Sequence, residues 1–161
     1  MARFRYSMQN ILNIKLKLET QAKQEFSAAK AALDEEEARM QGLVERKCGY
    51  EQEAEQLLSG KLNLRRIEEN KAAIRCMEDY IERQQLNVDR AEKKLYEATE
   101  RLKQVRIERK THETLKDKAF EEFLMEEKRQ ESKEIDQLTS YTYGQRMNME
   151  NAEQQFASVQ A

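Results

Sequence analysis

From residue 4 to residue 57 the chain returns to an apolar side chain at alternating steps of three and four, and no proline interrupts the pattern here or anywhere else. Positions 4, 8, 11, 15, 18, 22, 26, 29, 33, 36, 40, 43, 47, 50, 54 and 57 read Phe, Met, Ile, Lys, Leu, Ala, Phe, Ala, Leu, Glu, Met, Leu, Lys, Tyr, Ala, Leu, and thirteen of the sixteen are apolar. A repeat averaging 3.5 residues puts these side chains in one narrow stripe along a helix, which is the seam of a coiled coil. One four-four step, Leu18 to Ala22 to Phe26, is expected to act as a stutter that locally relaxes the supercoil. A second seam occupies 67, 70, 74, 77, 81, 84, 88, 91, 95, 98, 102 and 105, where ten of twelve residues are apolar.

Between the seams lies Leu57-Leu58-Ser59-Gly60-Lys61-Leu62-Asn63-Leu64. Gly60 can take the left-handed conformation that closes a helix, and Asn63 can cap the next one. So short a connection makes the two helices antiparallel neighbours, with facing residues whose numbers add to about 123, which sets Phe4 opposite Ala119 and its neighbours. The expected fold is all-α, a two-stranded antiparallel coiled-coil hairpin with an overhanging second helix. Residues 1–140 form one hairpin, with a helix over about 4–58, a turn over about 59–63 and a helix over about 64–140. The remaining 141–161 are expected to be a flexible C-terminal tail. At about 1.5 Å per residue the paired stretch would be a rod roughly 80 Å long.

Two stretches complicate the pattern. Arg3 to Glu19 also alternates polar and apolar residues, the period of a strand; a lone strand has no sheet to join, so helix is preferred. From Arg106 to Lys118 the second seam weakens to Ile107 and Leu115, before Ala119, Phe120, Phe123, Leu124 and Met125 restore an apolar face beside Phe4 and Tyr6. Residues 126–140 keep only Ile135 and Leu138 and read as a solvated overhang.

Twenty-nine basic and 31 acidic residues are mixed throughout, a balance that offers no footprint for a phosphate backbone, so nucleic acid is not an expected partner. No apolar run exceeds three residues, which excludes a transmembrane helix and a secretory core, and the chain reads as cytosolic. Catalysis needs reactive groups in a concavity, and a two-helix rod has almost none. The sole histidine, His112, faces the weakened seam or water. The four glycines are scattered, and no phosphate loop, HExxH or GxSxG occurs. Cys48 and Cys76 lie on outer positions, too far apart for a disulfide, and show no ligand spacing. No catalytic, cofactor or metal residues are assigned, and no cofactor is expected.

Since a coiled coil needs only its seam, apolar residues off the seam are the informative ones. Toward the hairpin tip Leu43, Val44, Tyr50, Met77 and Tyr80 form one candidate docking patch, tyrosines being common interface anchors. Gly42 and Gly49 nearby mark either a close approach or simple tolerance. At the open end Leu12, Ile14 and Leu16 join Ile11 and Leu18 and make the first helix apolar around most of its circumference. They either present a further surface or thicken the seam against Phe120, Phe123 and Leu124.

The opening Phe4-Arg5-Tyr6-Ser7-Met8-Gln9-Asn10-Ile11-Leu12, followed by a helical repeat, resembles that of FliJ-family flagellar export proteins, as does the chain length. Glu69 to Ile81 and Glu108 to Phe123 are similar to clostridial-type members, so nearly the whole hairpin is covered. Ser132-Lys133-Glu134-Ile135-Asp136-Gln137 is similar to the family's Leu-Asp-Glu segment, with glutamine where glutamate is common. The resemblance implies a cytoplasmic, non-enzymatic coiled coil, peripherally associated with the inner face of the membrane through the export apparatus. It also implies binding to the hexameric flagellar export ATPase, the export gate protein FlhA and export chaperones, coupling energy to substrate delivery. Two alternatives share the shape: a generic antiparallel coiled-coil scaffold, and a stalk subunit of a rotary ATPase.

Overall fold

A computed structural model describes residues 3–159, which hold two helices and no strand. Helix α1 spans Gln9–Leu58 and helix α2 spans Leu64–Val159. They pack against each other as a helical hairpin. The chain divides into two compact units, one of residues 13–110 and one combining 3–12 with 111–159.

The larger unit contains the turn. Its α1 seam positions from Ala22 to Leu57 are all buried or half-buried, as are the α2 positions from Ile67 to Val105. Direct contacts show the antiparallel pairing: Tyr50 meets Asn70, Glu36 meets Gln84, and Lys15 meets Glu108. Each pair has nearly the same number total, as the short connection requires. At the bend the Ser59 N–H donates to the Gln56 carbonyl and the Ser59 hydroxyl to the same oxygen. Asn63 caps α2, its side-chain oxygen accepting from the Arg66 N–H at 3.4 Å. Gly60, however, has no positive φ, so the left-handed closure expected there does not occur, and a Cβ at this position would meet nothing within 4 Å. The tightened last turn at Ser59 ends α1 without it.

The stutter is also absent. Glu19 is buried where Leu18 was expected to carry the seam alone, and the buried or half-buried positions 12, 15, 19, 22, 26, 29 and 33 follow an unbroken three-four alternation. The repeat therefore runs through a charged residue, while Met8 and Ile11, expected on the seam, are exposed.

In the smaller unit Arg3–Tyr6 is neither helix nor strand, so α1 starts at Gln9 rather than near residue 4. The Gln9 N–H donates to the Tyr6 carbonyl and the Leu12 N–H to that of Met8, which turns the chain into its first helical turn. Phe4 packs its ring on Phe120 at 5.1 Å, edge to face, and on Phe123 at 5.4 Å. His112, Lys116, Ala119 and Phe123 are half-buried at three-four spacing, so the seam register persists through polar residues where the apolar pattern fades. Beyond it α2 stays helical through 141–159, where a flexible tail was expected. Every residue from 128 to 159 is exposed, so this helix is carried by backbone hydrogen bonds and propensity without buried side chains.

Candidate partner-binding site

In the larger unit, Leu43 and Met77 are half-buried and form the layer between two polar ones, a heptad from Glu36 and Tyr50 on one helix and from Gln84 and Asn70 on the other. Tyr50 is half-buried and its carbonyl accepts from Asn70 Nδ2 at 2.9 Å. These three are seam residues and hold the helices together. Val44 is exposed and Tyr80 is 46% exposed, so of these five residues only the two off-seam side chains offer surface. Lys47 borders it with ion pairs to Glu51 at 3.7 Å and, across the hairpin, to Glu78 at 3.4 Å. Gly42 and Gly49 bring no other chain close, since a Cβ on either would meet nothing within 4 Å. Cys48 and Cys76 are free and exposed.

Also in the larger unit, Ile14 and Leu16 are exposed on the first turns of α1. In the smaller unit Leu12 is buried, Phe123 is half-buried, and Phe120 and Leu124 are exposed. The candidate residues thus fall into two kinds. Leu12, Leu43, Tyr50, Met77 and Phe123 serve packing, whereas Ile14, Leu16, Val44, Tyr80 and Phe120 leave apolar area in water.

What the apolar pattern missed is an ionic layer in the larger unit. Glu19 pairs with the Arg109 guanidinium, lies 3.6 Å from Arg106 Nε and 3.3 Å from Lys23 Nζ, and has a side chain only 8% exposed. Burial pushes its carboxyl up, but the hydrogen bond and charge of Lys23 and the guanidinium of Arg109 outweigh this and hold it below the ordinary carboxylate value. Beside it Lys15 Nζ donates to Glu108 Oε2 at 2.7 Å. The signal was available: Glu19 lies one heptad after Leu12 and one before Phe26, and Arg109 one heptad after Leu102. In the smaller unit Tyr6 Oη and His112 Nδ1 are buried without a hydrogen-bond partner, which places His112 toward the seam.

Among the described residues no cluster of histidine, cysteine or acidic side chains could hold a metal ion, and no helix is long and apolar enough to cross a membrane. The surface hollows are shallow grooves between side chains, such as the one lined by Arg39, Gly42, Leu43, Arg46 and Gln84.

Two long helices packed as a hairpin, with apolar side chains exposed outside the seam, place the described residues in the class of all-α coiled-coil proteins. The sequence matches the family described as "Flagellar FliJ protein" over residues 4–148, and the chain belongs to that family. Membership places it among components of the flagellar type III export machinery. Its fold is similar to the solved structure of CT670 from Chlamydia trachomatis, described there as a candidate YscO homolog. The TM-score is 0.67, with 23% sequence identity over 88% of this chain and 96% of that one. No curated protein matches the sequence.

Proposed function

We propose that this chain is a non-enzymatic adaptor of the flagellar export apparatus that binds the hexameric export ATPase, the export gate protein FlhA and export chaperones, and couples energy to substrate delivery. ATP hydrolysis belongs to the ATPase partner, and association with the inner face of the cell membrane is indirect, through the gate. The observation that carries this reading is the pairing of family membership over residues 4–148 with apolar side chains left in water outside a complete seam, Val44 and Tyr80 foremost. A tyrosine ring with a polar tip gains contact area at low entropic cost, and truncating such an anchor typically costs a complex about 2 kcal/mol or more. Ile14 and Leu16 offer a second surface, and Phe120 a third.

The test is a pull-down from the native cell with the full chain and with Tyr80→Ala and Val44→Asp, the bound proteins being identified by mass spectrometry. The adaptor reading expects export ATPase, gate protein or chaperones in the wild-type eluate, and at least one of them lost from the variants while helicity is unchanged. Recovery of a proton-pumping ATPase without export components would instead support a rotary stalk subunit. An eluate free of both would support a generic coiled-coil scaffold.

A further inference from the structure

Beyond the Asn63 cap on α2, worth about 1 kcal/mol, the turn adds little to specify the pairing register. Gly60 needs no left-handed conformation and would accept a side chain, so moving the bend by half a heptad along the chain would shift each residue's facing partner by one heptad without any chain break. The middle of the seam is equally tolerant, because Ala22 and Ala29 on α1 and Ala91 and Ala98 on α2 would pack as well against one another one heptad out of step. Something else must exclude the slipped hairpins.

We infer that the Glu36–Gln84 layer, seconded by Glu19–Arg109, is a register lock that holds the two helices of residues 13–110 in one alignment. Gln84 is buried, and its Nε2 donates to the Glu36 carbonyl at 2.9 Å and to Glu36 Oε2 at 2.6 Å, while its Oε1 accepts from Asn87. Both amide ends are thereby used. A slip of one heptad in either direction sets Gln84 against Leu43 or Ala29, and Glu36 against Met77 or Ala91, all of them apolar. Gln84 would still find a backbone carbonyl and Glu36 would keep its ion pair with Arg39 at 3.0 Å, so what a slip loses is the charge-assisted hydrogen bond from Gln84 Nε2 to Glu36 Oε2, which disfavours the slipped hairpin on the order of ten- to a hundredfold. Slipping also takes Glu19 away from Arg109, toward Leu102 in one direction and Lys116 in the other, so this layer discriminates on one side only. Asn70 has no such role. Its acceptor across the seam is the backbone carbonyl of Tyr50 alone, which a helix presents at the corresponding place in every register, whereas Gln84 also reaches the Glu36 carboxylate. A matched polar layer within an apolar seam is the best-attested way in which coiled coils fix alignment.

Disulfide trapping in the full chain, with Cys48→Ser and Cys76→Ser removing the native thiols, reads the register directly. Ala29→Cys with Ala91→Cys reports the native alignment, since both residues line one surface groove. Ala29→Cys with Ala98→Cys, and Ala22→Cys with Ala91→Cys, report the two slips. With the layer intact the native pair should oxidise at least about tenfold faster than either slipped pair. In the Glu36→Leu/Gln84→Leu background that preference should fall below about threefold while circular dichroism shows unchanged helicity. Asn70→Leu should leave the preference as it was. An undiminished preference in the double variant, loss of the preference with Asn70→Leu alone, slipped pairs forming readily in the wild-type background, or unfolding of the double variant would each overturn the lock.

Discussion

Replacing Arg109 by leucine asks how much a buried carboxylate costs when its main partner is taken away. Glu19 is 8% exposed, and its other cations, Lys23 and Arg106, are 55% and 49% exposed, at 3.3 and 3.6 Å. Stripping one partner from a buried ion pair costs about 3–5 kcal/mol when nothing compensates. Each remaining cation, screened by solvent, returns only about 0.2–1 kcal/mol. The net loss expected for Arg109→Leu is therefore about 1–5 kcal/mol. At a denaturant slope of about 2 kcal/mol per molar, the urea midpoint followed by helix ellipticity at pH 7 should fall by about 0.5–2.5 M. Glu19→Leu/Arg109→Leu continues the apolar heptad and should be neutral or up to about 4 kcal/mol more stable than wild type. If the single variant is as stable as the double, the carboxylate is not buried in solution and the ionic layer is misread.

The remaining expectations are simpler. Glu19 has a folded-state pKa below its ordinary 4.5, so the unfolded chain takes up the proton first as pH falls; its contribution is present above 4.5 and is lost as pH drops from there through the lowered value. An acid titration of urea midpoints should show that limb in wild type and not in the Glu19→Leu/Arg109→Leu variant. Ile81→Asp sets a carboxylate into a half-buried seam position and should lower thermal stability by several kcal/mol, about 3 or more, seen as loss of helical signal on mild heating. Asn63→Ala removes the cap on α2 and should cost about 1 kcal/mol in the same urea assay. Phe4→Ala takes one ring out of the trio with Phe120 and Phe123 and should cost about 1–3 kcal/mol, with faster amide exchange near both phenylalanines.

The hairpin and its pairing were legible because a heptad repeat is a geometric statement: thirteen apolar residues out of sixteen leave one solution once the turn is placed. The places where the pattern misled are those where polar residues occupy seam positions. Reading only apolar residues shifted the seam to Leu18 and invented a stutter, whereas Glu19 keeps the heptad because Arg109 neutralises it. The same bias made residues 106–118 look like a gap, although Arg109, His112 and Lys116 sit half-buried at the right spacing. A long side chain can bury its stem on the seam and hold its charge at the edge, which composition does not reveal. Gly60 misled in another way, since glycine permits the left-handed turn without requiring it. Of the candidate site, the seam positions read from the sequence already hold Leu43, Tyr50 and Met77 apart from Val44 and Tyr80, and the exposure of the last two agrees with that phase.

The account rests on this hairpin acting through protein contacts in flagellar export, and the most direct measurement is made in the native cell. Deleting the gene and complementing it with wild type or with a chain carrying Val44→Asp and Tyr80→Ala, while scoring filament assembly and exported flagellar protein in the medium, separates the outcomes. The account predicts that deletion abolishes or sharply reduces both, that wild type restores them, and that the surface variant, though folded and expressed, does not. Normal filaments in the deletion strain would contradict it.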